Sequence, residues 1–278
     1  MWIGAALLTT VSFGTNNTIF KWSTGNGLSK VHIQFFFYFV AFLLTLGYAI
    51  ATGPLHLNVM TIILGSLIGI LNANGNIQMS KAFEKGPASL TSPIIGTNAF
   101  LPILSAAIIF HEHVTIFQWI GIIVMLGSAL VIQYAPNSNY NLNYLPWIFR
   151  IVLAILSFGI LGILMKTTSY LHIDSLNTLI AMYGGGSVYL AICSVFGRDH
   201  WKRSEVSVGA IVGLISVIGY SSYFYALKTG MASIVFPIVS LNCLVVVFAG
   251  YWFFKEKLKL YQIIGVISAL LGIVFTKI

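Results

Sequence analysis

The side chains able to do acid–base or nucleophilic chemistry are few, and their spacing keeps them apart. The six carboxylates are Glu84, Glu112, Asp174, Asp199, Glu205 and Glu256. All fall at loops or at the ends of apolar runs, never in the middle of one. An enzyme would need a convergent carboxylate pair, nucleophile and base, or metal set, and no such set is visible. His111-Glu112-His113 invites a metal reading, but side chains two apart on a helix point in roughly opposite directions. The spacing is not that of HExxH either. Cys193 and Cys243 lie inside apolar runs, which argues against a disulfide framework or a zinc site. No G-x-x-x-x-G-K-[ST] loop offers an ATP site. The sequence therefore predicts no catalytic residue, no cofactor and no metal.

The remaining polarity inside the apolar runs is amide and hydroxyl. Thr15, Asn16, Asn17 and Thr18 lie in the first run. Asn72, Asn74, Asn76 and Gln78 lie in the third, with Asn72 and Asn76 one helical turn apart. Thr97 and Asn98 lie in the fourth, Tyr220 to Tyr225 in the eighth, and Ser240 and Asn242 in the ninth. Singly, such groups serve as well to join helices. Clustered as they are, with no such cluster in the fifth and tenth runs, they point to a solute cavity. The expected substrate-binding set is Asn16, Asn17, Asn72, Asn76, Asn98, Tyr220, Tyr223 and Asn242. A neutral lining that both donates and accepts suits a zwitterionic or hydroxylated solute. Pro93 and Pro237 free backbone carbonyls in the fourth and ninth runs and are expected to act as hinges or static kinks. Gly65 and Gly69, the glycines at 184–186, and the aromatic run Phe35 to Phe39 read as packing or lipid-contact features.

The elements that must position these residues follow from composition. The 278 residues are 58% hydrophobic and only 7% charged, against about 25% charged in soluble domains. A spanning helix needs about 20 apolar residues, and ten such runs can be marked, near 2–20, 33–51, 59–80, 87–109, 115–133, 145–165, 176–196, 206–227, 232–254 and 261–276. The net charge of +8 is spread over short loops without a basic block, which predicts anionic lipid headgroups and not nucleic acid as its partners. The expected fold class is an all-α integral membrane protein with ten transmembrane helices.

The chain also repeats. A shift of 144 aligns Ala82 with Ala226, Ala88-Ser89 with Ala232-Ser233, Pro93 with Pro237, Asn98 with Asn242, Glu112 with Glu256 and Gln118 with Gln262. A shift of 145 aligns Ser12-Phe13-Gly14 with Ser157-Phe158-Gly159 and Lys21 with Lys166. The first run thus has a partner deep in the chain and reads as a permanent helix, not a removable signal. The expected units are 1–134, a connecting loop 135–144, and 145–278. Five spans per half, an odd number, place the halves in opposite orientations, a common plan of secondary transporters with a site near the midplane.

The Ala-Leu-Lys-x-Gly-x-Ala-Ser turn at Ala226 to Ser233, its looser twin at Ala82 to Ser89, and a Glu closing the fourth run of each half (Glu112, Glu256) resemble the EamA-type transporters of the drug/metabolite transporter superfamily. The resemblance covers nearly the whole length. It implies a five-plus-five inverted repeat, a central cavity lined by the first four helices of each half, and transport of amino acids, other metabolites or drugs. The Gly-Glu-Arg frequent at the fourth helix end reads His111-Glu112-His113 and Lys255-Glu256-Lys257 here. Glu112 is expected to engage the start of the fifth helix or a nearby lysine, and Lys21 and Lys166 to snorkel to the interface.

Loop charges divide eleven to three and place both termini outside, whereas the resemblance implies termini inside. The combined expectation is an alternating-access carrier of small polar or amphipathic metabolites, secondary active or facilitative, in the plasma membrane of a bacterium, compatible with a homo-oligomer. A lipid or lipid-linked-sugar flippase on the same scaffold and a non-transporting sensor or assembly subunit are its rivals.

Overall fold

The computed structural model describes residues 1–53, 55, 57–85, 88–134, 144–197, 201–253 and 259–276. These form twelve α-helices and one 3-10 turn, with no strand among the described residues. The first half holds α1 (Trp2–Gly25), α2 (Lys30–Thr52), α3 (Val59–Lys85), α4 (Ala88–Gly96), the 3-10 turn Thr97–Ala99, α5 (Phe100–Ile108) and α6 (Ile116–Gln133). The second holds α7 (Tyr144–Tyr170), α8 (Ser175–Gly197), α9 (Arg203–Thr229), α10 (Ala232–Ser240), α11 (Asn242–Phe253) and α12 (Leu260–Phe275). Seven segments are long and apolar enough to cross a membrane: Lys30–Thr52, Val59–Lys85, Ile116–Gln133, Leu145–Tyr170, Ser175–Ser194, Arg203–Thr229 and Ala232–Phe253. Ile94–Ile108 and Leu260–Phe275 are shorter apolar helices, and α1 runs unbroken from Trp2 to Gly25 with the polar residues Thr15 to Thr18 within it.

Helices occupy all ten apolar runs, with one difference. The fourth and ninth runs, read as single helices, are each broken into two. The chain turns at Thr97–Ala99 in one and at Leu241 in the other. Pro237 lies inside α10, one turn before its break, and removes a backbone donor there. The side chain of Pro93 lies outside the described residues, as do Glu256 and positions 135–143 of the expected connecting loop.

The repeat is visible in local chemistry. Ser29 caps α2 by accepting from the His32 amide, and its mate Asp174 accepts from the Asn177 amide at the start of α8. Gln118 accepts from the Thr115 amide at the start of α6, and Gln262 from the Lys259 amide at the start of α12. Such caps satisfy amides that a helix start leaves free. The left-handed position after α1 is Gly27 (φ 68°), and its mate after α7 is His172 (φ 55°).

Packing repeats with the halves exchanged. Gly65 of α3 lies against Thr178 and Ala181 of α8, while Gly209 of α9 lies against Ile33 and Phe36 of α2. Gly75 of α3 faces the Phe158 ring of α7, and Gly219 of α9 faces the Phe13 ring of α1. Each half's third long helix therefore packs on the first two helices of the other half. Small residues make this approach possible: a Cβ on Gly185 would meet the Ser66 Cα at 2.6 Å. The glycines at 184–186 do not interrupt α8; they admit Phe42, Ser66 and Tyr38. Tyr38 and Tyr183 are repeat mates that also touch, with ring centroids 5.8 Å apart. Mates in mutual contact lie on the axis of exchange, so that axis passes between these two tyrosines. The α6 and α12 helices, the fifth and tenth runs, pack on each other through Gly121 and Gly272.

Candidate functional site

Around Tyr38 and Tyr183 the polar residues converge. The Asn72 amide nitrogen on α3 donates to the Tyr38 hydroxyl at 2.7 Å and the Tyr220 hydroxyl at 2.8 Å, joining α2, α3 and α9. The Tyr38 hydroxyl donates to the Gly69 carbonyl at 3.3 Å. On α1, Asn16 donates to the Ser216 hydroxyl of α9 at 2.8 Å. Aromatic rings enclose the set: Phe13 lies 4.7 Å from Tyr220 and 5.8 Å from Tyr223, Tyr183 lies 6.2 Å from Tyr220, and Tyr223 lies 6.0 Å from Phe236 of α10. Asn16, Asn72, Tyr220 and Tyr223 are all buried.

Several buried groups here lack a hydrogen-bond partner among the described residues. They are the Asn16 carbonyl oxygen, the Tyr183 hydroxyl and both amide atoms of Gln34, one turn from Tyr38 on α2. A buried polar group left unpaired costs about 1–3 kcal/mol, so these atoms favour a polar guest or water beside them.

The other expected site residues sit elsewhere. Asn98 and Asn242 are repeat mates at the two helix breaks. Each turns its amide back onto the carbonyl three residues earlier, Ile95 at 2.7 Å and Val239 at 2.9 Å. Their donors thus hold the breaks, although the Asn242 oxygen also accepts from the exposed Asn17 at 3.1 Å. Asn76 donates to the Asn72 carbonyl of its own helix at 3.0 Å.

Sequence reasoning missed Tyr38, Tyr183 and Gln34. The run from Phe35 to Phe39 splits, with Phe37 and Tyr38 buried and Phe39 exposed. Its one hydroxyl was the available signal. Gln34 was the lone amide in the second run.

Two acid clasps join the halves at opposite ends of α9. Glu112, following α5, accepts from the Ala232 and Ser233 amides at 2.9 Å and from the Ser233 hydroxyl at 2.7 Å, and pairs with Lys166 of α7 at 2.8 Å. Burial would raise its carboxyl, but Lys166 and the Ser233 and Ala232 donors outweigh that and hold it below its ordinary value. The partner is thus a lysine and the start of α10, not the start of the fifth run, and Lys166 is paired instead of snorkelling. A cavity of about 440 Å³ lined by Lys166, Ser169, Tyr170, His172, Leu227 and Lys228 lies beside this clasp, not at the aromatic centre. At the other end, Glu205 in the first turn of α9 is 2% exposed. It accepts from the Ser29 amide at 2.7 Å, the Lys202 amide at 2.9 Å and the His32 ring at 3.0 Å.

Apolar helices long enough to span, a duplicated and exchanged architecture, and polar groups gathered where the halves meet define a multi-pass integral membrane protein of the transporter class. The chain belongs to the EamA-like transporter family, whose pattern matches residues 1–134 and again 145–278. It is therefore a membrane transporter of the drug/metabolite type. An uncharacterized protein of Haemophilus influenzae is 26% identical over 222 residues, 74% of this chain and 72% of the relative. The protein MJ1333.1 of Methanocaldococcus jannaschii is 38% identical over 68 residues, 24% of this chain and 50% of its own. One crystal structure superposes with a TM-score of 0.83 at 11% identity, covering 99% of this chain and 98% of the other, a likeness of fold alone.

Proposed function

We propose that this chain is a ten-span carrier of small polar metabolites, amino-acid-like or hydroxylated, in which two five-helix repeats of opposite orientation alternate access to a site between them. The ten spans are the seven long apolar segments together with α1, the broken α4–α5 helix and α12. The observation that carries the reading is the buried Asn72–Tyr38–Tyr220 junction on the axis of exchange, flanked by the unpaired Asn16 oxygen and Tyr183 hydroxyl. A neutral solute with an amine, amide or hydroxyl would meet donors, acceptors and aromatic faces there without desolvating a carboxylate. Asn16, Asn17, Asn72, Asn76, Asn98, Tyr220, Tyr223 and Asn242 remain its proposed site residues, with Asn72 and Tyr220 foremost. Pro237, one turn before a broken helix, is the hinge best supported by its position. The bacterial plasma membrane is the proposed location, consistent with the Haemophilus relative.

Counterflow in proteoliposomes tests the reading. Purified protein is offered labelled amino acids, nucleosides, sugars and quaternary amines against unlabelled internal solute. Uptake of one class, reduced at least tenfold in Asn72→Ala, supports the carrier and its site. Folded protein with no counterflow across the panel defeats it in favour of a flippase or sensor.

A further inference from the structure

A cation on α7 takes no part in the site just described. Arg150 is the seventh residue of α7, about 9 Å inward from the helix start at 1.5 Å per residue. It lies within the membrane-capable segment Leu145–Tyr170 and is half-buried. A charged guanidinium in that setting is costly unless it reaches water or an anion. The contacts between a basic side chain and a carboxylate found among the described residues are His32–Glu205 and Lys166–Glu112, and neither includes Arg150.

What Arg150 meets instead is a neutral ladder. Its Nη1 donates to the Gln78 carbonyl oxygen at 2.7 Å, and the Gln78 amide donates to the Asn74 oxygen at 3.0 Å. Asn74 donates to the Ser157 hydroxyl at 2.9 Å and accepts from the Tyr189 hydroxyl at 3.2 Å. From Arg150 through Gln78 and Asn74 to Ser157 each donor points away from Arg150, while Tyr189 donates into Asn74 from the other side, so the ladder orients the guanidinium while neutralising none of its charge. A guanidinium has five N–H donors in a planar fork, and the ladder uses one. The ladder starts at the end of α7 opposite Lys166 and joins α3, α7 and α8.

We infer that Arg150, held by Gln78 and Asn74, is an oxyanion-recognition site that takes a phosphate or carboxylate group. The fork suits two-point contact with such a group, which a lysine would meet only as a point charge. The oxyanion comes either from a soluble anion or from the headgroup of an anionic lipid. The site is separate from the Asn72–Tyr220 junction, and its test needs no transport.

Thermal unfolding of the full chain in phosphatidylcholine nanodiscs is followed with inorganic phosphate, succinate or chloride at matched ionic strength. In parallel, phosphatidylglycerol replaces phosphatidylcholine stepwise. The expected result is a saturable rise in Tm with an oxyanion or with phosphatidylglycerol that chloride does not give. Arg150→Gln abolishes the rise, and Arg150→Lys weakens the apparent affinity at least fivefold. A response to phosphate or succinate assigns a soluble anion, and a response to phosphatidylglycerol alone assigns a lipid. Oxyanions and phosphatidylglycerol acting no differently from chloride and phosphatidylcholine on the unmodified chain would overturn the inference whether or not the variants fold. So would an undiminished rise in folded Arg150→Gln.

Discussion

The two acid clasps do one mechanical job with different chemistry. Each carries a carboxylate across the boundary between halves, one at each end of α9, a helix about 40 Å long at 1.5 Å per residue. Glu112 holds the Lys166 ammonium and a helix start together. Glu205 holds two loop amides and an imidazole that serves as a partner even when neutral. The Glu112 end is thus built on charge, and the Glu205 end on hydrogen bonds. An alternating-access protein must open its two ends in turn, and unlike fastenings give them unlike opening costs.

Removing each carboxylate tests this difference. Glu112→Gln leaves the Lys166 ammonium, 13% exposed, without its partner. The expected loss is about 3 kcal/mol, read as a fall in Tm in neutral detergent. Lys166→Met added to that variant recovers most of the loss, because the stranded charge is gone. If the single substitution costs no more than a surface ion pair, the charge-built description of this end fails. Glu205→Gln keeps an acceptor oxygen for the Ser29 and Lys202 amides and strands no lysine, so a smaller loss of about 1–2 kcal/mol is expected. An equal or larger loss would reverse the comparison.

Acidity sharpens it further. The Glu112 carboxyl is held below its ordinary value, so its contribution is present above the ordinary carboxylate range and is lost as pH falls through the lowered value. The Tm gap between the unmodified chain and Glu112→Gln should stay level from neutral pH down to about 5 and close below about 4. A gap that widens with acid would contradict the assignment.

The smallest effect concerns the mates Gly27 and His172, which take one left-handed conformation with different residues. His172→Gly relieves Cβ strain of about 1 kcal/mol but frees the unfolded chain. A net gain of at most about 0.5 kcal/mol is expected, and Gly27→Ala should cost more than that. Equal tolerance at both positions would show that the two turns are not equivalent.

Much of this architecture was legible in the residues. The shift of 144 that aligns Asn98 with Asn242 and Glu112 with Glu256 announced the repeat, and apolar length located the helices. Apolar periodicity does not say which helix of one half lies on which helix of the other, so the packing of α3 on α7 and α8, and of α9 on α1 and α2, was hidden. Burial was equally hidden: Glu205 read as a helix-end acid because its position says nothing of the Ser29 and His32 groups folded over it. The amide list held Asn72, but the sequence could not show that Asn98 and Asn242 give their donors to helix breaks while Tyr38 joins the hub.

The exchanged packing of α3 also sets a timetable for synthesis. On the polar strip of α3, Asn76 bonds within its own helix and Asn72 also meets Tyr38 of α2, but Asn72, Asn74 and Gln78 reach further partners on α9, α7 and α8, and α8 ends more than 110 residues after α3 does. At about 5–20 residues per second of translation, the strip waits on the order of ten seconds for them. During that interval the unfinished first half must shelter those three amides from lipid, by resting in the insertion machinery or by borrowing a neighbour. The nascent half-protein is therefore the stage at which this chain depends most on its surroundings.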